Sequence, residues 1–310
     1  MIAHYPDDPP PRWPNPVLAL GNFDGLHRGH AKIIDRVRRR AGERGGTPAA
    51  MTFDPHPPRV VRPDKAPPLL MTTEQRLEAL GRAGMQGVAV VRFTPEMSQW
   101  DPEMFVRIVL VEWLRVAEVW VGANFLFGHD RAGTFTVLRA LGARFGFRAE
   151  KIDAVRYKDF VVSSTRIRRL VGEGRVDEAG ALLGHHYFID GSVVHGDARG
   201  RELGFPTANL ATANELLPPN GVYATTASVD GIEHPSVTNI GTRPTFDQGT
   251  GVHVEAHLLD GSRDLYGARV RLSFVQRLRD ERAFPDVDAL RAQIDADCRA
   301  ARRLFGRISL

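Results

Sequence analysis

Short apolar runs alternate with segments of helical periodicity between residue 16 and about residue 160. The runs are VLALGNF, AAMTFDPHP, GVAVVRF and AEVWVG, and continuous apolar strands of this kind are typical of a parallel sheet covered on both faces. Apolar residues in the intervening segments recur at the spacing of one helix face. The predicted faces hold Ile33, Ile34, Val37 and Ala41, then Leu77 and Leu80, then Met104, Phe105, Ile108 and Val111, then Phe135, Leu138, Leu141 and Phe145.

The expected first domain is therefore a Rossmann-like α/β fold. Thr72 and Gln75 have the spacing of a capping box, which predicts that the second helix begins there. In such sheets ligands bind beyond the carboxyl ends of the strands. The strings GNFDGLHRGH, FDPHP and VGANFLFG all lie at that edge.

The pattern of apolar and polar residues changes after residue 185. Short alternating runs such as YFIDGSVVHG, GVYATTASVDG and VHVEAHLLDG, separated by Gly, Pro and Asp, predict an antiparallel β-barrel or sandwich. A terminal helix is expected because Val287, Leu290, Ile294, Cys298 and Ala301 fall at helical spacing. We expect a domain of residues 16–183 and a second of 184–310. Residues 1–15, rich in proline, are expected to be a disordered or extended lead-in.

Composition narrows the class of protein. The 310 residues are 43% hydrophobic and 25% charged, as in globular proteins. Cys298 is the one cysteine, which excludes an intramolecular disulfide and a cysteine-based zinc site and fits the cytoplasm. No apolar run reaches the length of a membrane span. The net charge of +4 suits anionic small molecules as well as RNA, and the basic run at 36–40 is interpreted as a solvated helix face.

The string GNFDGLHRGH lies where a strand passes into a helix. A helix N-terminus presents unpaired N–H groups and partial positive charge, which attract phosphate, and Gly29 allows close approach of the backbone. His27 and His30, three residues apart, can point the same way and donate hydrogen bonds to a triphosphate or to a departing pyrophosphate. The alternative is that one of the two histidines only caps the helix.

Two further strings of the first half suggest anion binding. SSTRIR places Ser163, Ser164 and Thr165 at a predicted helix start, with Arg166 behind them, and hydroxyls, helix-end amides and guanidinium together suit a phosphate. One of the serines alternatively serves only as an N-cap. Asn124 follows a strand, where its amide could contact a phosphate group of a ligand, or could simply form a turn.

The string GDARGRELGFPTANL opens the chemistry of the second half, and it lacks the Gly-Lys-Ser/Thr of a P-loop. Thr207 and Asn209 would share one face of a strand and offer neutral oxygens to Mg²⁺, while Gly196 and Gly204 would let backbone amides approach the nucleotide. In VHVEAHLLD, Glu255 faces away from the apolar side chains and could accept a proton from an attacking alcohol. Alternation alone favours a solvated strand face.

These strings resemble those of the nucleotidylyltransferase superfamily and, more narrowly, of the bacterial bifunctional riboflavin kinase/FMN adenylyltransferases, the FAD synthetases. GNFDGLHRGH, FDPHP, VGANFLFG and SSTRIR match the adenylyltransferase half, and FPTANL, GVYA, NIGTRPTF, VEAHLLD and DLYG match the kinase half. The resemblance implies that Gly21, Phe23, Asp24 and Gly29 bind the nucleotide. It also implies that Thr207 and Asn209 bind metal and nucleotide, and that Glu255 is the kinase base.

The expected function is bifunctional: ATP and Mg²⁺ convert riboflavin to FMN, and a second ATP then converts FMN to FAD and pyrophosphate. Two alternatives stay open from the sequence, a nucleotidylyltransferase with another substrate and a non-catalytic flavin-binding regulator on the same fold. An RNA-binding protein is less favoured because aromatic residues are not interleaved with the basic run. Small molecules are the expected partners, without nucleic acid or membrane, and the oligomeric state is left open.

Overall fold

The computed structural model describes residues 1–196, 200, 203–242, 251–261 and 265–307. The chain divides into two compact units, Met1–Ser164 and Thr165–Leu310. Every predicted site residue is among the described ones. Three strings quoted above, GDARGRELGFPTANL, NIGTRPTF and DLYG, lie partly outside the described residues. The parts outside are 197–199 with 201–202, 243–246 and 264, respectively.

The first unit contains a six-stranded sheet in which every pair of neighbours is parallel, in the order β1-β4-β3-β2-β5-β6. Its strands are β1 (Ile2–Tyr5), β2 (Val17–Leu20), β3 (Pro48–Phe53), β4 (Gly87–Val91), β5 (Glu118–Gly122) and β6 (Arg148–Ile152). After β2 the chain builds β3 and β4 to one side and then crosses to β5 on the other. The carboxyl ends of β2 and β5 therefore border the crevice in which doubly wound folds bind ligands, and the predicted α/β class is confirmed.

The α-helices of this unit are α1 (Arg28–Arg44), α2 (Pro57–Val61), α3 (Thr73–Arg82), α4 (Pro102–Phe105) and α5 (Phe135–Phe145). The buried residues of α1 are Ile33, Ile34, Val37 and Ala41, the predicted face. The predicted capping box starts α3: the Thr72 side chain accepts a hydrogen bond from the Gln75 amide at 3.2 Å, and Gln75 Oε1 accepts one from the Thr72 amide at 2.8 Å. Short 3₁₀ turns lie at Pro63–Lys65, Met97–Gln99 and His129–Arg131.

The predicted face of the helix after β4 is confirmed only in part, because Ile108 and Val111 pack against the core but the most buried residues beyond Phe105 are others. The chain continues from α4 as a π-helix over Val106–Trp113, whose buried residues are Val106, Val109, Leu110 and Trp113. A π-helix bonds residues five apart instead of four, so successive side chains turn away from the α-helical face. Ile108 and Val111 are consequently only half-buried.

The N-terminal residues are not a disordered lead-in. Ile2–Tyr5 pairs in parallel with β4, from Ile2 opposite Val88 to Tyr5 opposite Val91. Trp13 is buried over Gly87, where a Cβ atom would lie 2.7 Å from its ring. The strand forms because β4 offers it an unpaired sheet edge, a long-range contact that proline-rich composition does not reveal.

The second unit is built on a closed antiparallel barrel in the order β10-β13-β12-β11-β14-β9. Its strands are β9 (Tyr187–Val194), β10 (Ala208–Thr212), β11 (Gly221–Val229), β12 (Ile232–Thr242), β13 (Val252–Leu258) and β14 (Arg269–Asp280). The terminal helix α8 (Val287–Phe305) packs Cys298 and Ala301 against Val222, Ala224 and Val237 of the barrel. The predicted barrel and terminal helix are confirmed.

The two compact units divide at Ser164, whereas the functional boundary predicted at Gly184 stays a prediction. A small hairpin, β7 (Arg156–Tyr157) and β8 (Phe160–Val161), ends the first unit and is followed by α6 (Ser164–Gly172) and α7 (Val176–Leu183). The buried face of α7 contacts β9 and β14 of the barrel, so this helix belongs with the second unit. The order of strands and helices in the sequence cannot reveal that α7 belongs to the second unit, because the apolar face of an amphipathic helix does not specify which sheet it packs against.

The basic run on α1 is only partly a solvated face. Arg38 and Arg39 are exposed, whereas Arg40 donates from Nε and Nη2 to the fully buried carboxylate of Glu118, at 3.1 and 3.0 Å. Burial alone would raise the pKa of Glu118, but the hydrogen bonds from Arg40 and from the Trp120 indole outweigh it and lower this pKa. Part of the run therefore anchors α1 to β5.

Candidate functional site

The histidine pair lies where the chain passes from β2 into α1. His27 is the N-cap of α1, and its Nδ1 accepts a hydrogen bond from the His30 amide at 3.3 Å. The two imidazoles stack with their centroids 3.7 Å apart and their planes at 11°. Because Nδ1 of His27 accepts this bond, a neutral His27 carries its proton on Nε2 and is a donor there. The predicted pair is brought together, and the capping alternative is true of His27 as well.

His30 is held as a neutral imidazole. Burial first, and the neighbouring His27 second, hold the pKa of His30 well below its usual range. The Phe23 ring packs edge-on against it at 5.2 Å. Within the described part of the chain, Nδ1 of His30 is buried without a hydrogen-bond partner. Such atoms are uncommon in folded proteins, and a functional site is one place where they occur.

Phe23 and Asp24, two predicted nucleotide contacts, also support the loop from within the protein. Phe23 is fully buried with φ at +51°, so its ring supports His30 and is not exposed to a ligand. The buried carboxylate of Asp24 accepts hydrogen bonds from the amides of Leu70 and Met71 at 3.0 to 3.1 Å. Both residues therefore hold the loop in place, and their contacts with the nucleotide stay predictions.

Gly21 and Gly29 leave space for neighbouring aromatic and imidazole rings of the loop. A Cβ atom on Gly29 would lie 3.1 Å from the His27 imidazole, closer than ordinary packing allows. One on Gly21 would lie 3.5 Å from the Phe23 ring, in ordinary contact. Gly29 therefore leaves room for the histidine stack, and the same small residue suits the predicted approach of a phosphate to the helix end.

The SSTRIR string joins this loop through one serine. Ser164 opens α6, and its hydroxyl donates to the backbone oxygen of Asp24 at 2.9 Å. Ser163 immediately precedes the helix, and Thr165 and Arg166 are the next two residues of α6 after Ser164. Asn124 is exposed just past β5, the neighbour of β2, and so lies at the same edge of the sheet as His27.

Sequence reasoning missed Arg76, which is 1% exposed on α3. Its guanidinium donates to the backbone oxygens of Asn22 and Phe53, each at 3.2 Å. Asn22 belongs to GNFDGLHRGH and Phe53 to FDPHP, so this one side chain connects two predicted site loops. The available signal was an arginine four residues before Leu80, on the apolar face of a predicted helix.

The predicted kinase residues form a row across three neighbouring strands. Asn209 of β10 lies directly opposite Glu255 of β13, and Glu255 lies directly opposite Asn239 of β12. Val254 and Ala256 are buried while Glu255 is half-buried, as the predicted alternation requires. Asn239 lies in the string NIGTRPTF, but the sequence analysis did not predict it as a site residue. Only the strand register places it beside Glu255.

Glycines bring the preceding segment close to Thr207 and Asn209. A Cβ atom on Gly196 would lie 2.3 Å from Asn209 Nδ2, and one on Gly200 would lie 3.1 Å from Thr207 Oγ1. Gly204 has φ at +85°, a conformation that favours glycine. Thr207 directly precedes β10, so its oxygen and that of Asn209 are available to the same ligand.

We predict that Gly196→Ala impairs only the barrel site. The added methyl group must displace the short Asn209 amide, and a misplacement of about 1 Å can cost on the order of 10²-fold in rate. The matched control is Gly172→Ala, where a Cβ atom meets nothing within 4 Å. Steady-state rates of both half-reactions measure the effect, and a parent-like rate in Gly196→Ala would contradict the proposed role of Asn209.

The chain was compared with known proteins. The family model described as FAD synthetase matches residues 10–166, and the one described as riboflavin kinase matches residues 183–305. The bifunctional riboflavin kinase/FMN adenylyltransferase of Pseudomonas fluorescens is 39% identical over 288 residues, which cover 93% of this chain and 92% of the relative. The chain belongs to the bifunctional riboflavin kinase/FMN adenylyltransferase family. The family predicted from sequence and its two transferase activities are thereby confirmed.

The enzyme of Bacillus subtilis with the same name is 37% identical over 297 residues, covering 94% of this chain and 93% of that one. A crystal structure from Streptococcus pneumoniae, named as a macrolide-efflux protein, matches with a TM-score of 0.88 at 28% identity, covering 97% of this chain and 98% of that one. Among the described residues of the present enzyme, no helix has both the length and the apolar character to cross a membrane.

Proposed function

We propose that the two units divide the synthesis of FAD between them. The barrel phosphorylates the ribityl 5′-hydroxyl of riboflavin with ATP, and the α/β unit transfers AMP from a second ATP to the resulting FMN. The observation that carries this assignment is that the histidine pair and the Asn209–Glu255 row lie in different units, each matched by its own family model. Residues 16–183 and 184–310 are the proposed functional domains, and the cytoplasm, which supplies ATP, is the proposed compartment.

In adenylyl transfer, a phosphate oxygen of FMN attacks the α-phosphorus of ATP, and the bond to pyrophosphate breaks. The start of α1 offers backbone amides to the triphosphate. His27, with its proton on Nε2, and the neutral His30 act as hydrogen-bond donors to charge that develops on the leaving pyrophosphate. Asn124, Ser163, Ser164, Thr165 and Arg166 are the further residues that we propose for binding the phosphates. No covalent enzyme intermediate is needed.

In the kinase reaction, the 5′-oxygen of riboflavin attacks the γ-phosphorus of ATP, and ADP leaves. Glu255 accepts the proton of the attacking hydroxyl. Thr207 and Asn209 offer oxygen atoms of the kind that Mg²⁺ prefers. Among the described residues no group of three or more His, Cys, Asp or Glu could hold a metal. Thr207 and Asn209 would therefore be the protein residues that hold Mg²⁺, which would neutralise phosphate charge when bound.

The function is tested on the full chain with riboflavin, ATP and Mg²⁺, by separating FMN from FAD over time. We expect FMN to appear first and FAD to follow, and FMN supplied directly should yield FAD and pyrophosphate. A chelator should stop FMN formation. If neither flavin product appears, the proposed function is wrong.

We predict that Thr207→Ala weakens the kinase site for ATP and Mg²⁺. The expected result is a raised Mg²⁺ requirement for FMN formation, with FMN-to-FAD conversion unchanged. Thr207→Ser retains the hydroxyl and should restore the parent behaviour. Loss of one exposed or half-buried hydroxyl usually changes stability by less than ~0.5 kcal/mol, so a Thr207→Ala variant that fails to fold would make this residue structural.

A further inference from the structure

Arg76 is a charged side chain in the core of the first unit. It lies on the inner face of α3 beside Gln75 and Leu80, and only 1% of its surface is exposed. Burying a guanidinium is costly unless its charge and its five N–H donors find partners. An arginine at this position therefore calls for a reason beyond packing.

The contacts of Arg76 are with backbone oxygens of two site loops. Nη1 donates to Asn22 O, and Nη2 donates both to Phe53 O and to the Thr73 hydroxyl at 3.1 Å. Thr52 also donates to Asn22 O at 3.0 Å. The two loops follow β2 and β3, which are neighbours in the sheet. A planar guanidinium fixes the separation of two such acceptors, which a single-point ammonium cannot do.

The charge of Arg76 is only partly compensated. In the described part of the chain no carboxylate lies within 4 Å of it as an ion pair, and its Nε is buried without a hydrogen-bond partner. Asp24 and Asp54 are close enough to act on it electrostatically. However, the Asp24 carboxylate already accepts bonds from the Leu70 and Met71 amides. Arg76 is thus compensated by carboxylates that are not direct ion-pair partners, and its distinguishing contribution is the geometry of its two backbone contacts.

We infer that Arg76 is a positioning residue for adenylyl transfer. Its guanidinium holds Asn22, in the loop after β2, against Phe53 at the carboxyl end of β3. The inference rests on the proposed function of this unit and adds to it a residue that touches no substrate. Because Arg76 acts through the geometry of the loop, its loss should lower kcat for FAD formation more than it changes the binding of ATP.

The test compares Arg76→Lys and Arg76→Met in the full chain, with FMN and ATP as substrates. Lysine keeps the charge but cannot reach both loops, so we expect kcat to fall roughly 10-fold with the KM for ATP little changed. Methionine keeps the volume of the side chain but loses its charge and both backbone contacts. We therefore expect kcat/KM for FAD formation to fall on the order of 10²-fold, the cost of about 1 Å of misplacement. Riboflavin phosphorylation by the same preparations should stay at the parent rate.

The matched control is Arg82→Met on the same helix, where the side chain is 70% exposed and pairs with Glu78. It should leave both activities unchanged. A folded Arg76 variant that makes FAD with parent kcat and KM would overturn the inference, as would equal loss of both activities. If Arg76→Met does not fold, the kcat and KM of Arg76→Lys decide. A parent enzyme that makes no FAD would instead refute the proposed function.

Discussion

Glu255→Gln is expected to lower FMN formation by about 10²–10⁴-fold, the usual cost of removing a general base. Glutamine keeps the shape of the side chain and the strand register with Asn209 and Asn239 but cannot accept the proton of the ribityl hydroxyl. Conversion of supplied FMN to FAD should proceed at nearly the parent rate, because the histidine pair lies in the other unit. Rates with riboflavin and with FMN, measured separately, check this result.

The control for this variant is Glu233→Gln, which removes a carboxylate from the exposed end of the neighbouring strand β12. It should leave both reactions unchanged. Normal FMN formation by Glu255→Gln would return Glu255 to the interpretation that alternation alone favours, a solvated strand face. Equal loss in both variants would indicate a general effect of surface charge instead.

His27→Asn separates the two roles that the structure gives to His27. Asparagine is among the best N-cap residues, so the start of α1 should remain stable, whereas alanine at such a position costs about 1 kcal/mol. The imidazole donor is lost, and we expect FAD formation to fall by about 10²–10³-fold, as for removal of one donor to developing charge. FMN formation should not change, and thermal unfolding checks that the helix cap is retained.

His30→Ala should reduce FAD formation to a similar degree, because the two rings act on the same leaving group. Since burial and then His27 depress the pKa of His30, this imidazole stays neutral between about pH 6.5 and pH 8. FAD formation should therefore show no loss from His30 protonation in that range. If His27→Asn forms FAD at the parent rate, the role of His27 is limited to capping helix α1.

Local pattern predicted much of the fold. The buried face of α1, the capping box of α3 and the alternation along β13 all follow from spacing, because each depends on residues within a few positions of one another. The change of rhythm after residue 185 likewise identified the barrel. The functional boundary at Gly184 stays a prediction. The compact units divide at Ser164 because α7 packs on the barrel, a tertiary contact that its amphipathic pattern does not specify.

Side-chain roles within the motifs were harder to predict. GNFDGLHRGH marked the site, but its letters do not show that Phe23 is buried behind His30 or that Asp24 binds the amides of Leu70 and Met71. A motif residue that holds the loop and one that holds the ligand have the same spacing. The π-helix after α4 was missed for a related reason, because its periodicity differs from the 3.6 residues assumed.

The sequence by itself determined the two-part fold, the family and the position of both predicted sites along the chain, because hydrophobic periodicity and contiguous motifs are properties of local sequence. Only the tertiary structure decided which distant residues meet. Parallel pairing of β2 with β3 brings Asn22 and Phe53 within reach of Arg76, and strand register sets Asn239 beside Glu255. These contacts join residues far apart in the chain, and packing and register fix them, so no local pattern encodes them.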